Sequence, residues 1–287
     1  MEVGLQVPDF PGGTAALGRN LAGVARAADD AGFAYLSVMD HFFQIPSVGP
    51  SDRPMLEAYT TLGFLAAHTR RAKLFAYVTG AIYRHPGLLS KAVTTLDVLS
   101  GGRAMLGIGA GWNEEEARGL GFPFPSTAER FELLEENLRY VRQMWDADDK
   151  PFSSKHFTAD RLLNSPQPLR RPPIMVGGGG EKKTLRFVAK HGDFCNIGNG
   201  PDLEHKLDVL KRHCEAGGRD YAEITKTVYH YLDIGPAGEK TGEFLAETQR
   251  LHGLGVQAVL GPFPGGADQR RIEIFAKDII PAIKELA

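Results

Sequence analysis

An acid and an imidazole stand side by side at Asp40 and His41, in the run VMDHFFQIP. The apolar residues before them read as a strand, so the pair falls where a strand gives way to a loop. Histidine exchanges protons near neutral pH, and a neighbouring carboxylate can tune or orient it. The two residues could also serve structure alone, Asp40 capping the next turn and His41 packing. A second candidate is RAMLGIGAGWNEEE, Arg103 to Glu116. It is not a dinucleotide fingerprint. The last glycine of G-x-G-x-x-G is replaced by Trp112, and no acid ends a following strand about twenty residues on. Asn113 suits a helix N-cap, and Glu114, Glu115 and Glu116 suit the first helical turn, where they complement the helix dipole. Glu116 also has the capping-box offset from Asn113. Capping leaves the glycines unexplained. Gly107, Gly109 and Gly111 leave room for something flat and large, with Asn113 placed to reach it.

Three further stretches could contribute. Tyr77, Val78, Thr79 and Gly80 end another strand-like run, where Thr79 could donate a hydrogen bond or simply belong to a turn. Gly177, Gly178, Gly179 and Gly180 precede Glu181 and a helical pattern. Exposed amides at a helix N-terminus bind anions, so a phosphate held by backbone is the preferred reading, with a flexible turn as the alternative. Asn196, Gly198 and Asn199 could add polar contacts. The nine histidines contain no HxH and no HExxH, so no catalytic metal is expected. There is no G-x-S-x-G, and no lysine follows the glycines as in a phosphate-binding P-loop.

These residues all sit at the ends of strands. Strand-like runs occur at Val3–Val7, Tyr35–Met39, Leu74–Val78, Ala104–Ile108, Ile174–Val176, Phe194–Ile197, Thr225–Asp233 and Val256–Leu260. Their apolar, β-branched character suits a buried parallel sheet. Helical patterns fill the gaps. Leu17, Leu21, Val24 and Ala28 share a face that Gly32 terminates; Pro86 opens a second stripe; Ser126 and Glu129 form a capping box before a third. Other helices are expected over 55–68, 182–191, 202–216, 243–252 and 269–286. Eight strand–helix units in 287 residues predict a (β/α)8 TIM barrel, which typically runs to about 250 residues, rather than an open doubly wound sheet. One domain spans 1–287. Residues 145–173 break the rhythm as an insertion between strands four and five, expected at the active face or rim with a hairpin around Phe152–Phe157.

The formal net charge of −2 gives no electrostatic case for nucleic acid or an anionic membrane. Cys195 and Cys214, the two cysteines, lack zinc or CxxC spacing, and a reduced cytoplasmic setting is expected. No signal peptide and no membrane span are expected.

Together these residues resemble the luciferase-like monooxygenase superfamily. The stretches that carry the resemblance are VMDHFF, TGAIYRHPGLLSKAVTTLDVLSGGRAMLGIGAGWNEEE and PPIMVGGGGEKKTLRFVAKHGD, covering most of residues 1–200. Within it the chain looks most like the branch that uses the deazaflavin coenzyme F420 rather than FMN. The resemblance implies that Asp40 and His41 lie near the deazaflavin ring and its hydroxyl. It implies that Tyr77, Val78 and Thr79 lie behind the ring, often with a non-prolyl cis peptide. It places Gly109 and Asn113 against the ring or its sugar-like chain, and the loop from Gly177 to Glu181 on the phosphate. In the sugar-phosphate dehydrogenases of this branch a glutamate follows the second strand-four glycine, and a lysine follows strand six. Here those positions read Ala110 and NIGNG, which argues against a phosphorylated sugar.

The reading is an F420-dependent oxidoreductase that moves a hydride to or from a small organic substrate. His41 would exchange the substrate proton, and Asp40 would orient His41 or bind the ring. One alternative is a monooxygenase using reduced FMN from a partner reductase; another is a non-catalytic cofactor carrier. A homodimer is expected. The substrate pocket is expected from the 145–173 excursion and the loops after strands seven and eight, including GPFPGG at 261–266, with Phe43, Phe122, Phe124 and Phe263 either as its apolar lining or as lid packing.

Overall fold

The computed structural model describes residues 1–286. Eight strands form one parallel sheet: Glu2–Val7, Tyr35–Val38, Lys73–Ala76, Leu106–Gly109, Ile174–Gly177, Phe194–Gly198, Thr225–Tyr229 and Ala258–Gly261. The first pairs with the eighth, Val3 opposite Val259, and the rest follow in sequence. The fourth pairs with the fifth. A parallel bridge from Leu74 to Ala104 joins the third strand to the residues entering the fourth and closes the barrel. Closure removes every free sheet edge from the core strands.

Period-two alternation divides the apolar residues between two cores. Tyr35, Phe75, Met105, Met175, Phe194, Ala258 and Leu260 fill the barrel's interior. Their strand neighbours Leu36, Leu74, Leu106, Val176 and Cys195 face outward and pack under the helices. The interior is therefore a plug of side chains, which leaves ligand space only above it, at the strands' C-terminal ends.

Helices α1 (Leu17–Ala31), α2 (Ala58–Ala67), α3 (Pro86–Ser100), α4 (Glu114–Gly119), α5 (Thr127–Trp145), α6 (Thr184–His191), α7 (Leu203–Gly217) and α8 (Thr241–Gly253) surround the barrel. Local chemistry sets several ends. His85 caps α3, accepting from the Gly87 amide at 3.1 Å, with Pro86 as its first residue. Ser126 caps α5 through the Glu129 amide at 3.3 Å. Gly32 ends α1 in the left-handed conformation, φ 92°.

The structure corrects several expectations. The third strand stops at Ala76; a cis peptide joins Tyr77 to Val78, and Thr79–Gly80 resume pairing against Ile108 and Gly109. The seventh strand ends at Tyr229, four residues short of the expected Asp233. The single helix expected over 269–286 is broken into Gln269–Ile274, a π turn over Phe275–Ile279, and Ile280–Lys284. Pro281 has no N–H to give to the α ladder there.

The segment after α5 forms a small antiparallel hairpin, Phe152–Ser153 with Thr158–Ala159. Phe152 and Leu162 pack on Tyr140 and Met144 of α5. Asn164 donates to Thr94 Oγ1 at 3.1 Å, and the Leu169 amide donates to Asp97 Oδ2 at 2.8 Å, both on α3. The segment thus lies on the outer helical layer.

His191, at the end of α6, is buried beside Glu135, with its Nε2 3.5 Å from Glu135 Oε1. Burial first, then the Lys190 charge, pushes its imidazole down to about 4 against an opposing pull from Glu135. A histidine depressed in the folded state is protonated more readily when unfolded, so stability falls as pH drops from about 6.5 toward 4. We expect wild type to lose on the order of 3 kcal/mol across that window from this group. His191→Gln should flatten that part of a urea-denaturation pH series; an unchanged slope would contradict the assignment.

Candidate active site

The strands' C-terminal ends open on a cavity of about 510 Å³. Asp40, His41, Tyr77, Val78, Thr79, Gly109 and Gly177 to Gly180 all line it, contributed by four different strand ends. A second cavity of about 310 Å³ adjoins it and shares Gln6, His41, Tyr77, Trp112 and Tyr229 with the first. His41 therefore stands in the partition between two spaces.

What holds His41 is Glu116. This residue is 0% exposed, and its Oε1 lies 2.5 Å from His41 Nδ1. Oε1 also accepts from the Tyr83 hydroxyl at 2.6 Å, while Oε2 accepts from the amides of Phe42 and Phe43 at 2.8 and 3.2 Å. One carboxylate thereby fixes the imidazole and the backbone of its loop. Burial raises the carboxyl of Glu116, but the hydrogen bonds from His41, Tyr83 and Phe42 outweigh it and hold the group below the usual carboxylate range. An ionised acceptor at Nδ1 requires a proton there and leaves Nε2 to exchange one with the cavity.

Asp40 does not face its sequence neighbour. Its Oδ2 takes Arg84 Nη1 at 2.8 Å and the Gly80 amide at 3.2 Å. Arg84 reaches on to Glu57 Oε1 at 2.5 Å and lies 4.8 Å from the centre of the Tyr59 ring. Tyr59 in turn contacts Thr79 Oγ1 at 2.7 Å. Burial dominates the Asp40 carboxyl and raises it despite Arg84. Asp40 Oδ1 and the Tyr77 hydroxyl are buried without a partner. Both residues line the larger cavity, so a ligand with polar edges has two groups waiting for it.

The strand glycines serve a different purpose from the one expected. A Cβ on Gly107 would lie 2.3 Å from the Ala76 carbonyl, and those on Gly109 and Gly177 would lie 3.1 and 2.9 Å from Val78 methyls. Val78 occupies the room the glycines leave and itself becomes part of the cavity wall. Of Gly107, Gly109 and Gly111, only Gly111, φ 78°, is required for its backbone conformation, and Trp112 after it stands 60% exposed. Gly107→Ala should destabilise by about 1–3 kcal/mol, because the clash is with backbone. Unfolding in urea reads this directly, and a neutral outcome would show that the third and fourth strands can separate.

At the glycine loop, Gly177 to Gly180 and Thr184 bring backbone and a hydroxyl to the N-terminal end of α6. Lys206 stands over it: its Nζ is 3.1 Å from the position of a Cβ on Gly179, and it pairs with Asp202 at 2.6 Å. No lysine follows strand six directly, yet the first turns of α7 deliver one to the same rim.

Two expected contacts are not brought to the cavity. Asn113 is buried but lines neither cavity, and its side chain makes no capping hydrogen bond. Glu181 is exposed and pairs with His205 at 3.2 Å. The 145–173 segment contributes no residue to either cavity, because it is spent on α3 and α5. Of the four phenylalanines expected to line a pocket, only Phe263 does. Phe122 stacks on Phe42, Phe124 lies under Arg130, and Phe43 lies over Gly119. Among the described residues no group of three His, Cys, Asp or Glu side chains could hold a metal, and no helix is long and apolar enough to cross a membrane.

The fold and site define a class: a (β/α)8 barrel with a ligand cavity at its C-terminal face and a carboxylate-held histidine between that cavity and a smaller one. The chain belongs to the luciferase-like monooxygenase family, whose model matches residues 1–240. The F420-dependent glucose-6-phosphate dehydrogenase of Kineococcus radiotolerans is 32% identical over 213 residues, 72% of this chain. The match spans 62% of that relative, less than two thirds of its length. In structure the chain is similar to an F420-dependent secondary alcohol dehydrogenase solved with an F420–acetone adduct, with TM-score 0.81 and 18% identity over 98% of both chains. It is also similar to the monooxygenase RslO1 from Streptomyces bottropensis, with TM-score 0.77 and 20% identity over 98% of this chain and 99% of the other. These two likenesses concern the fold.

Proposed function

We propose that the protein is an F420-dependent oxidoreductase that moves a hydride between the deazaflavin and a small organic substrate. The observation that carries this reading is the position of His41, with Glu116 behind it and a cavity on either side. The named relative supports the choice of cofactor. The larger cavity fits such a group on its own terms. Asp40 Oδ1 and the Tyr77 hydroxyl lack partners, Val78 and Leu134 offer apolar wall, and the glycine loop with Lys206 beside it suits a phosphate. When bound, the deazaflavin supplies or accepts the hydride.

The chain's own residues do the rest. Asp40 and Tyr77 accept or donate at the ring's polar edge. Gly177 to Gly180, Thr184 and Lys206 hold the anionic end. Glu116 keeps Nδ1 of His41 protonated and the ring fixed. His41 Nε2 takes a proton from an alcohol or gives one to a carbonyl oxygen, so that no isolated alkoxide forms. The two adjoining cavities set the partners next to each other, which removes most of the entropic cost of their encounter.

The test is to offer oxidised F420 and a panel of primary and secondary alcohols to the purified protein and follow the loss of visible absorbance. Bleaching with a subset of the panel, with no oxygen uptake, is the expected result. Oxygen consumption driven by reduced FMN, with an oxygenated product, would instead make the protein a monooxygenase.

A further inference from the structure

The smaller cavity says what the substrate is made of, given the proposed hydride chemistry. Five of its residues are aromatic: Tyr77, Trp112, Tyr229, Tyr231 and Phe263. Apart from His41, its charged side chains are Asp9 and Arg53, and these neutralise each other at 2.7 Å. Arg53 also donates to the Val48 carbonyl at 3.2 Å, and Asp9 is buried and accepts from the Phe10 amide at 3.0 Å. Asp9 thus balances the charge of the guanidinium, and an incoming anion would meet an ion pair with no net charge. Trp112 lines both cavities, 60% exposed, with its ring centre 5.3 Å from that of His41 and an interplanar angle of 71°. An exposed indole is costly to leave in water and gains by closing over an apolar surface.

We infer that the smaller cavity takes an uncharged carbonyl compound, or the matching alcohol, with a planar apolar body, and that Trp112 is the residue that selects it. The volume of about 310 Å³ sets the scale at one ring with short substituents. In the reducing direction the carbonyl carbon takes a hydride from the reduced cofactor, the oxygen takes the proton from His41 Nε2, and an alcohol leaves. In the oxidising direction both transfers run backward. A phosphorylated or carboxylated substrate is disfavoured because its charge would meet an arginine already balanced by Asp9.

The experiment is calorimetric titration of the protein, with F420 present, by acetophenone and by benzoate, which share a ring and differ in charge. Wild type is expected to bind acetophenone and not benzoate. Trp112→Ala should weaken acetophenone roughly tenfold or more by removing one wall. Asp9→Asn should acquire benzoate binding, since it releases Arg53. Indole emission is the second readout: Trp145 is buried, donates to Thr94 at 3.0 Å and lines neither cavity, so saturable quenching reports Trp112. Benzoate binding as tightly as acetophenone in wild type overturns the inference, as does acetophenone binding unaffected by Trp112→Ala or absent altogether. F420 emission is followed in the same samples. Retained F420 binding with failed acetophenone binding rejects the substrate class alone. Absent F420 binding rejects the cofactor, whatever acetophenone does.

Discussion

Replacing His41 by Asn should lower turnover by about a hundred- to ten-thousand-fold while F420 affinity changes little. The reason is division of labour. The cofactor's proposed contacts are spread over Asp40, Tyr77, Val78 and the glycine loop, but His41 supplies the imidazole that both cavities share. Glu116→Gln should produce a loss of similar size by a different route. The carboxylate's Oε2 accepts two backbone amides, which the glutamine carbonyl can retain. Its amide nitrogen then faces Nδ1 and donates to it. The tautomer is reversed, Nε2 carries the proton and can no longer take one, as occurs when the buried acid of a serine-protease triad is made an amide. Glu116 is therefore a positioning residue. Its signature is a fall in kcat with KM and F420 affinity preserved, and Glu116→Asp should recover part of the rate. Full activity in either variant would remove the pair from the mechanism.

Arg84→Met should cost about 3–5 kcal/mol of stability at neutral pH, the scale of leaving one member of a buried ion pair alone. Arg84 is 10% exposed and serves Asp40 at 2.8 Å and Glu57 at 2.5 Å, and Asp40 is 1% exposed. Without the cation, Asp40 must hold a charge in an apolar setting or take up a proton. Burial already raises its carboxyl in wild type, and loss of Arg84 raises it further. A folded-state carboxyl raised above its unfolded value of about 4 favours the folded state only below that value. The deficit should therefore shrink as pH falls from 7 toward 4. Urea titrations at both ends of that range measure it. A deficit that is small or independent of pH would show that Asp40 does not depend on Arg84.

Much of this arrangement is legible in the sequence because it is local. Strand periodicity, Pro86 at a helix start, the Ser126 capping box and Gly32 at a helix end each act over a few residues, and the barrel follows from their repetition. The placement of Asp40, His41, Tyr77 and the glycine run along the cavity is legible too, since each ends a strand. What escapes is contact across the rim. Glu116 lies 75 residues from His41 in sequence, and its capping-box offset from Asn113 offers a sufficient local reason for an acid there. Arg84 sits in YRHP with no pattern around it. Lys206 follows from helix geometry after a loop, not from its spacing to strand six. The glycines mislead because the space they leave is filled by Val78, on a backbone course that alternation along strand three does not anticipate. The segment after Trp145 misleads because its length suggests a rim, while its polar residues find partners on the outside of α3 and α5.

The central claim is that the larger cavity holds a deazaflavin. The most direct measurement is a titration of the purified protein with F420 and, separately, with FMN, following each cofactor's own fluorescence. The account predicts F420 binding on the order of micromolar or tighter and FMN binding at least roughly tenfold weaker. FMN binding tighter than F420 would contradict it and place the protein's chemistry with oxygen rather than hydride.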